Sequence, residues 1–251
     1  MKKIYVAVLF LSIFFSSFSL HASQMVENLH FRIRFGIINA GNANWVTQLT
    51  THAGNEAYHT RVQVQTTGMI DQMFRFSETY ESFYNRKSGL PYFSVLNFRH
   101  GRWRYQNETT FNHSKLTAHS SRRDSIIHVE MPVFDMASAI SHFRKLDWGS
   151  LRIGDVVELQ TFHMDKYNTM FVIYQGREEI SIGSGRFRAH RFVPAVDVEE
   201  FTPGREQIIL WFSDDRNRIP LAIRVNLAVG SFRLEFERYE QLRFPLQARI
   251  R

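Results

Sequence analysis

Along most of the chain apolar side chains return at every second position, the spacing that sets one face of a β-strand against a core and the other toward water. Phe31, Ile33, Phe35 and Ile37 share a face while Arg32 and Arg34 take the other, and near the C-terminus Phe232, Leu234 and Phe236 alternate with Arg233, Glu235 and Glu237. The same period recurs over 58–66, 74–84, 92–98, 126–131, 156–162, 170–174 and 187–193. With the strands of the C-terminal third, these runs predict roughly ten strands. Turn signals separate them at Lys87-Ser88-Gly89, His100-Gly101, Gln175-Gly176, Gly183-Ser184-Gly185 and Pro203-Gly204. Connections this short make sequential strands antiparallel neighbours.

One stretch changes period. Met136, Ala139, Ile140, Phe143 and Leu146 recur at helical spacing behind Asp135 as N-cap, with Arg144 and Lys145 in the last turn and Gly149 beyond. The pattern predicts one amphipathic helix over about 135–146, whose apolar stripe covers a mouth or a face of a curved sheet. The expected fold is mostly β, a single antiparallel β-barrel or half-barrel with this one helix. No linker rich in Pro, Gly or Ser and no repeat divides residues 24–251, which reads as one barrel-like domain.

The first 23 residues follow another rule. Lys2 and Lys3 precede an uncharged run from Ile4 to Leu20 and then His21-Ala22-Ser23, the three regions of a secretory signal peptide. The run falls short of the roughly 20 apolar residues that span a bilayer and is interrupted by four serines, which favours cleavage near Ala22 or Ser23 over an uncleaved anchor. No cysteine follows to carry a lipid anchor. The expectation is a periplasmic, non-lipidated chain that does not span the membrane once the leader is removed.

Composition narrows the chemistry. With no cysteine, disulfides, thiol catalysis and cysteine-ligated metal are excluded. The formal charge of +7 falls to +5 when Lys2 and Lys3 leave with the leader, and arginine dominates the excess. An exported basic protein meets anionic lipid headgroups, acidic glycans and cell-wall polymers rather than nucleic acid. The histidines are scattered without close ligand spacing; His163 and Asp165, read on one strand face, would need a third metal ligand from elsewhere. No Gly-x-Ser-x-Gly elbow occurs, Gly183-Ser184-Gly185 reads as a hairpin turn, and Glu178-Glu179 and Glu199-Glu200 read as solvated turns. No cofactor, metal site or catalytic set emerges.

Two segments concentrate candidate residues. In Phe98-Arg99-His100-Gly101-Arg102-Trp103-Arg104-Tyr105 basic and aromatic positions interleave; a hairpin with a basic outer face accounts for this, and Arg102, Trp103 and Arg104 are its surface-interaction candidates. In the segment from Gln207 to Phe232 two apolar strands flank a polar turn, and Asp214, Asp215 and Asn217 are the residues that cap such turns. The functional alternative makes Asp214 and Asp215 a carboxylate pair or cation site, although Arg216 and Arg218 sit close enough to neutralise them.

Trp211-Phe212-Ser213-Asp214-Asp215, Arg218-Ile219-Pro220, a basic strand and then Val229-Gly230-Ser231 resemble the C-terminal signature of a family of exported bacterial proteins known only as a domain of unknown function. An opening strand ending in Ala40-Gly41, Phe83-Tyr84 leading to Leu90-Pro91-Tyr92-Phe93, and Gly185-Arg186-Phe187 before Val193-Pro194 extend the resemblance from about Phe31 to Leu242. It implies an exported antiparallel barrel or half-barrel, similar in outline to periplasmic lipoprotein carriers that hold acyl chains, and it implies no catalytic residue.

Three functions remain open. The first is a non-catalytic envelope binding protein whose aromatic interior, capped by the helix, holds an apolar or lipid-like ligand against Trp211, Phe212, Phe143 and Ile140. Its motive is the 23 phenylalanines, although a barrel can be filled by its own side chains. The second is a module that docks an envelope protein or anionic glycan through outer arginines such as Arg32, Arg34, Arg102 and Arg104. The third, an envelope glycan hydrolase, needs two carboxylates across a cleft, which sequence does not place.

Overall fold

Period-two runs pair into one sheet. A computed structural model describes residues 24–195 and 207–250; the leader, Glu199-Glu200 and Pro203-Gly204 lie outside them. In chain order the strands are β1 Gln24–Phe35, β2 Ile38–His52, β3 Asn55–Thr66, β4 Phe76–Asn85, β5 Pro91–His100, β6 Trp103–Asn112, β7 Thr117–Ser120 and β8 Ser125–His128. They continue as β9 Val156–His163, β10 Lys166–Ile182, β11 Gly185–Ala195, β12 Ile208–Ser213, β13 Pro220–Asn226, β14 Ser231–Gln241 and β15 Arg249–Ile250. Two helices, α1 Gly68–Met73 and α2 Met136–Phe143, and a 3₁₀ turn at Trp148–Ser150 complete the described elements.

The sheet has fifteen strands in the order β8-β7-β6-β5-β4-β3-β2-β1-β14-β13-β12-β11-β10-β9, with β15 on β11, and it does not close. The expected barrel of roughly ten strands is therefore replaced by a longer open sheet. Its ends nevertheless meet. Phe134 donates its N–H to Gln160 and accepts from Phe162, each at 2.8 Å, the Phe111 and Phe162 rings pack edge-on at 5.8 Å, and Asn107 reaches Asp165 at 2.8 Å.

Several boundaries move for local reasons. The opening strand does not run to Ala40-Gly41: Gly36 takes φ +58°, the chain reverses, and Ile37 is left in the turn instead of on the buried face. Gln175-Gly176 is no turn, because the pairing slips one register there and a bulge carries β10 on to Ile182. The run expected from Phe74 begins at Phe76, behind the unforeseen α1. Asp165 is not on a strand: Met164 and Asp165, both at positive φ, form the turn between His163 and Lys166.

Helix α2 is shorter than its sequence pattern, ending at Phe143 with Arg144 as C-cap, so Leu146 lies beyond it. Its start rests on a capping box. Asp135 accepts the Ser138 N–H at 2.8 Å while Ser138 Oγ accepts from the Asp135 N–H at 3.0 Å, and Ser82 Oγ on β4 donates to the same carboxylate at 2.5 Å. The helix sits between two apolar clusters. Ala137, Met136 and Ile140 face Leu29, Phe31, Trp45, Tyr80 and Phe236, whereas Ala139 and Phe143 join Trp148, Phe192 and Phe212. A third cluster, around Phe111, Val133 and Phe162, fills the seam between the sheet ends.

Burial raises Asp135 from its ordinary 3.8 to about 6, against hydrogen bonds from Ser138 and Ser82 that hold it down. The folded protein then binds this proton more tightly than the unfolded chain, so the stability it contributes is complete below pH 4 and is lost as pH rises through 6. The shift corresponds to about 3 kcal/mol. Urea unfolding of Asp135→Asn, which keeps the acceptor oxygen, should show a loss of stability between pH 4.5 and 7.5 shallower than wild type by that order; parallel profiles would assign the pH dependence to other groups.

Candidate functional site

The polar turn between β12 and β13 folds as its residue types dictate. The Asp215 Oδ1 accepts from the N–H groups of Asn217 at 3.0 Å and Arg218 at 3.3 Å and from Ser213 Oγ at 2.9 Å. Oδ2 accepts from Gln247 and Ala248 N–H groups at 2.9 and 3.1 Å, fastening the C-terminal segment. Asp214 turns elsewhere, meeting His190 Nε2 at 2.9 Å and Arg177 at 3.8 Å. Burial lowers the His190 pKa, partly opposed by Asp214. Pro220 is buried at the head of β13 opposite Phe212. Arg218, at φ +47°, lays its guanidinium 4.6 Å from the Trp148 ring centre and donates to the carbonyls of Arg144 and Leu146.

Beside this turn lies a cavity of about 110 Å³, bounded by Glu27, Tyr58, Tyr84, Arg144, Lys145 and Arg216, with Arg243 and Phe244 at its edge. It opens at the end of the sheet where β1 begins and where β2 and β4 finish. Arg144 forms its floor. The side chain is only 12% exposed and makes a two-pronged pair with Glu27, at 2.9 and 2.6 Å, and two further bonds to the Asn217 carbonyl at 3.3 and 2.8 Å. Burial pulls the Arg144 pKa down, but Glu27, with Tyr84 and Asp215, outweighs it and the net shift is upward. Tyr84, pushed up to about 12 by burial, belongs to a hydroxyl chain in which Thr47, Thr60, Tyr84 and Ser141 follow one another at 2.9 Å.

The rest of the wall is cationic. Arg216 stacks on Phe244 at 4.0 Å, Arg243 reaches the Tyr58 hydroxyl at 3.4 Å, and Lys145 Nζ lies 5.4 Å from the Tyr58 ring centre. Glu27 is already committed to Arg144, and among the described residues Lys145, Arg216 and Arg243 make no ion pair with a carboxylate. The Lys145 pKa is lowered by burial and then by Arg243, Arg144 and Arg86, the mark of crowded cations. Such a pocket can hold an anion.

The structure separates the other candidates. Phe143 and Phe212 meet at 5.6 Å, wedged with Trp148 and Phe192, and Ile140 lies between the first and second clusters. Trp211 belongs to the first cluster, donates to Glu178 at 2.5 Å and carries Arg224 at 5.3 Å. Arg102, Trp103 and Arg104 are exposed at the opposite end of the molecule, where Trp103 packs on Phe98. Among the described residues no cluster of His, Asp and Glu could hold a metal ion, and no helix is long and apolar enough to cross a membrane. Sequence reasoning missed Glu27, Lys145 and Arg243 as neighbours. Arg144-Lys145 showed only as a helix-end complement, and Arg243 follows β14 without a pattern.

Removing five hydrogen bonds at once should make Asp215→Ala lose several kcal/mol and release the C-terminal segment to limited proteolysis, whereas Asp214→Asn should cost about 1 kcal/mol. Equal losses would contradict this division of labour. Glu27→Gln, leaving Arg144 buried beside a neutral partner, should destabilise by about 3 kcal/mol in the same denaturant titration.

Among curated proteins nothing matches the chain. A structural search finds a β-barrel-like protein of the domain of unknown function DUF1849 from Brucella abortus, at TM-score 0.58 and 10% identity over 88% of this chain and 99% of that one. At that identity the likeness concerns the fold alone. The family described as "protein of unknown function (DUF3108)" matches residues 30–237, nearly the stretch over which the signature motifs are spread. The chain belongs to this family of proteins of unknown function.

Proposed function

We propose that the protein is a non-catalytic binding protein of the cell envelope that holds the anionic group of a ligand, a phosphate or a carboxylate, at the mouth floored by Arg144. The observation that carries this reading is the convergence of Lys145, Arg216 and Arg243 on a 110 Å³ cavity whose one lining acid, Glu27, is already paired. The cell-envelope setting rests on the leader at residues 1–23.

An apolar or lipid-like ligand within the barrel has weaker support. The rings of Phe143, Trp148, Phe192 and Phe212 pack on one another at 4.8–6.0 Å, and a gap bounded by Tyr80, Leu96, Tyr105 and His163 measures about 10 Å³, room for one water at most. An amphiphile would therefore be held by its head. Glycan hydrolysis draws nothing from Asp214 and Asp215, whose oxygens face different partners, Asp214 meeting His190 and Asp215 serving the turn and the C-terminal segment.

Calorimetric titration with inorganic phosphate, at ionic strength matched with chloride, tests the mouth directly. Wild type should bind and gain about 3 kcal/mol of stability at 100 times Kd. The double variant Lys145→Gln/Arg243→Gln, changed at two exposed positions, should lose at least tenfold in affinity while unfolding normally. Indistinguishable responses to phosphate and chloride would overturn the reading. Native mass spectra of the protein purified from a Gram-negative periplasm, before and after organic extraction, would identify a retained ligand.

A further inference from the structure

At the end of the molecule opposite this mouth, four neighbouring connections carry apolar side chains into solvent. They are the β13–β14 turn, the β1–β2 turn, the α1 segment between β3 and β4, and the β5–β6 turn, adjacent through the register of eight consecutive strands. Ile37 is 98% exposed, Met73 85%, Val229 82% and Met69 71%, with Phe74 and Trp103 half exposed. Scattered surface hydrophobics are ordinary, but a row along one rim is not. Followed along the curved sheet, at about 4.8 Å per strand, the row covers about 34 Å of rim.

The charge within these four connections is almost wholly positive. Within 34–38, 67–75, 99–104 and 226–233 the lone acid is Asp71, which Arg75 and Thr66 already occupy at 3.2 and 2.8 Å. Arginines stand directly opposite one another across the strands: Arg34 faces Arg233, Arg233 faces Arg224, and Arg99 faces Arg104. Like charges in such pairs are destabilising unless something anionic lies over them. Burial and then Arg233 and Arg191 depress the Arg224 pKa, partly opposed by Glu178 and Glu235.

We infer that this rim docks peripherally on an anionic lipid bilayer, with Ile37, Met73, Val229 and Trp103 entering the interface and the arginine pairs lying against headgroup phosphates. Several separate exposed apolar tips suit insertion into a lipid interface, and tryptophan with arginine suits the headgroup layer. A protein partner would instead present a groove for each tip.

Co-sedimentation of the purified protein with vesicles of phosphatidylethanolamine and phosphatidylglycerol, against phosphatidylcholine vesicles, tests this. Wild type should partition onto the anionic vesicles, and added salt should weaken that binding without abolishing it. Ile37→Ser/Met73→Ser/Val229→Ser, three changes at exposed rim positions, should weaken it at least about tenfold with thermal unfolding unchanged. Arg102→Gln/Arg104→Gln should bind less and depend less on salt. The proposal falls if wild type ignores both vesicle types, if the triple variant binds like wild type, or if the rim retains acidic polyglutamate but not vesicles, which would point to an acidic protein. The triple variant leaves the Arg144 mouth intact, so binding carried by headgroup phosphate at that mouth would survive in it, whereas binding through the rim would not.

Discussion

Arg144 is the joint on which the two halves of the sheet and their helix depend. Among the described residues the strand ladder joins β1–β8 to β9–β15 only where β1 meets β14, along one antiparallel seam. Besides the contacts where the sheet ends meet, Arg144, at the end of α2, adds a further link, holding β1 through Glu27 and the β12–β13 turn through the Asn217 carbonyl. A guanidinium this poorly hydrated is tolerable because four bonds match its planar donors, and removing any partner would strand a buried charge. Arg218 closes the ring by donating to the Arg144 carbonyl.

The family signature owes its form to the same joint. Trp211 to Pro220 reads like a site, with two adjacent acids among arginines, yet each polar group answers an architectural need. Asp215 gathers the turn and the tail, Asn217 exchanges bonds with Phe244 in both directions, and Arg218 covers Trp148. Polar residues in a tight turn beside a packed core must find partners, and these find one another.

Much of the fold was legible because it is local. Period two marked the strands of β1, β3, β9, β11 and β14, and the spacing from Asp135 to Phe143 with its acidic cap marked α2. What was hidden depends on backbone conformation or distant pairing. Positive φ at Gly36 splits one apparent strand into two, and a bulge at Gly176 turns an apparent loop into the middle of β10. The Arg144 mouth draws on Glu27, Lys145, Arg216 and Arg243, separated by most of the chain, so no window of sequence contains it. The turn reading of Asp214 and Asp215 was available, since both are turn-capping residues; their divergent partners were not.

A filled interior has a consequence for function. In a hollow barrel, a ligand threads the core and the two mouths share one site. Here the rings of Phe143, Trp148, Phe192 and Phe212 on one side of α2, and Leu29, Phe31, Trp45 and Phe236 on the other, occupy that path. The cationic mouth and the apolar rim are thus chemically distinct surfaces held at opposite ends of a rigid, close-packed body. Any influence of one on the other must pass through displacement of packed elements, and α2 is the element placed to carry it. Its start is bonded to Ser82 on β4 and its end to Glu27 on β1, while Met136 and Ile140 rest on the cluster that extends along the sheet toward the rim. An occupant that drew on Arg144 would compete with Glu27 and the Asn217 carbonyl for the same donors, so Lys145, Arg216 and Arg243 are the cations left to meet it.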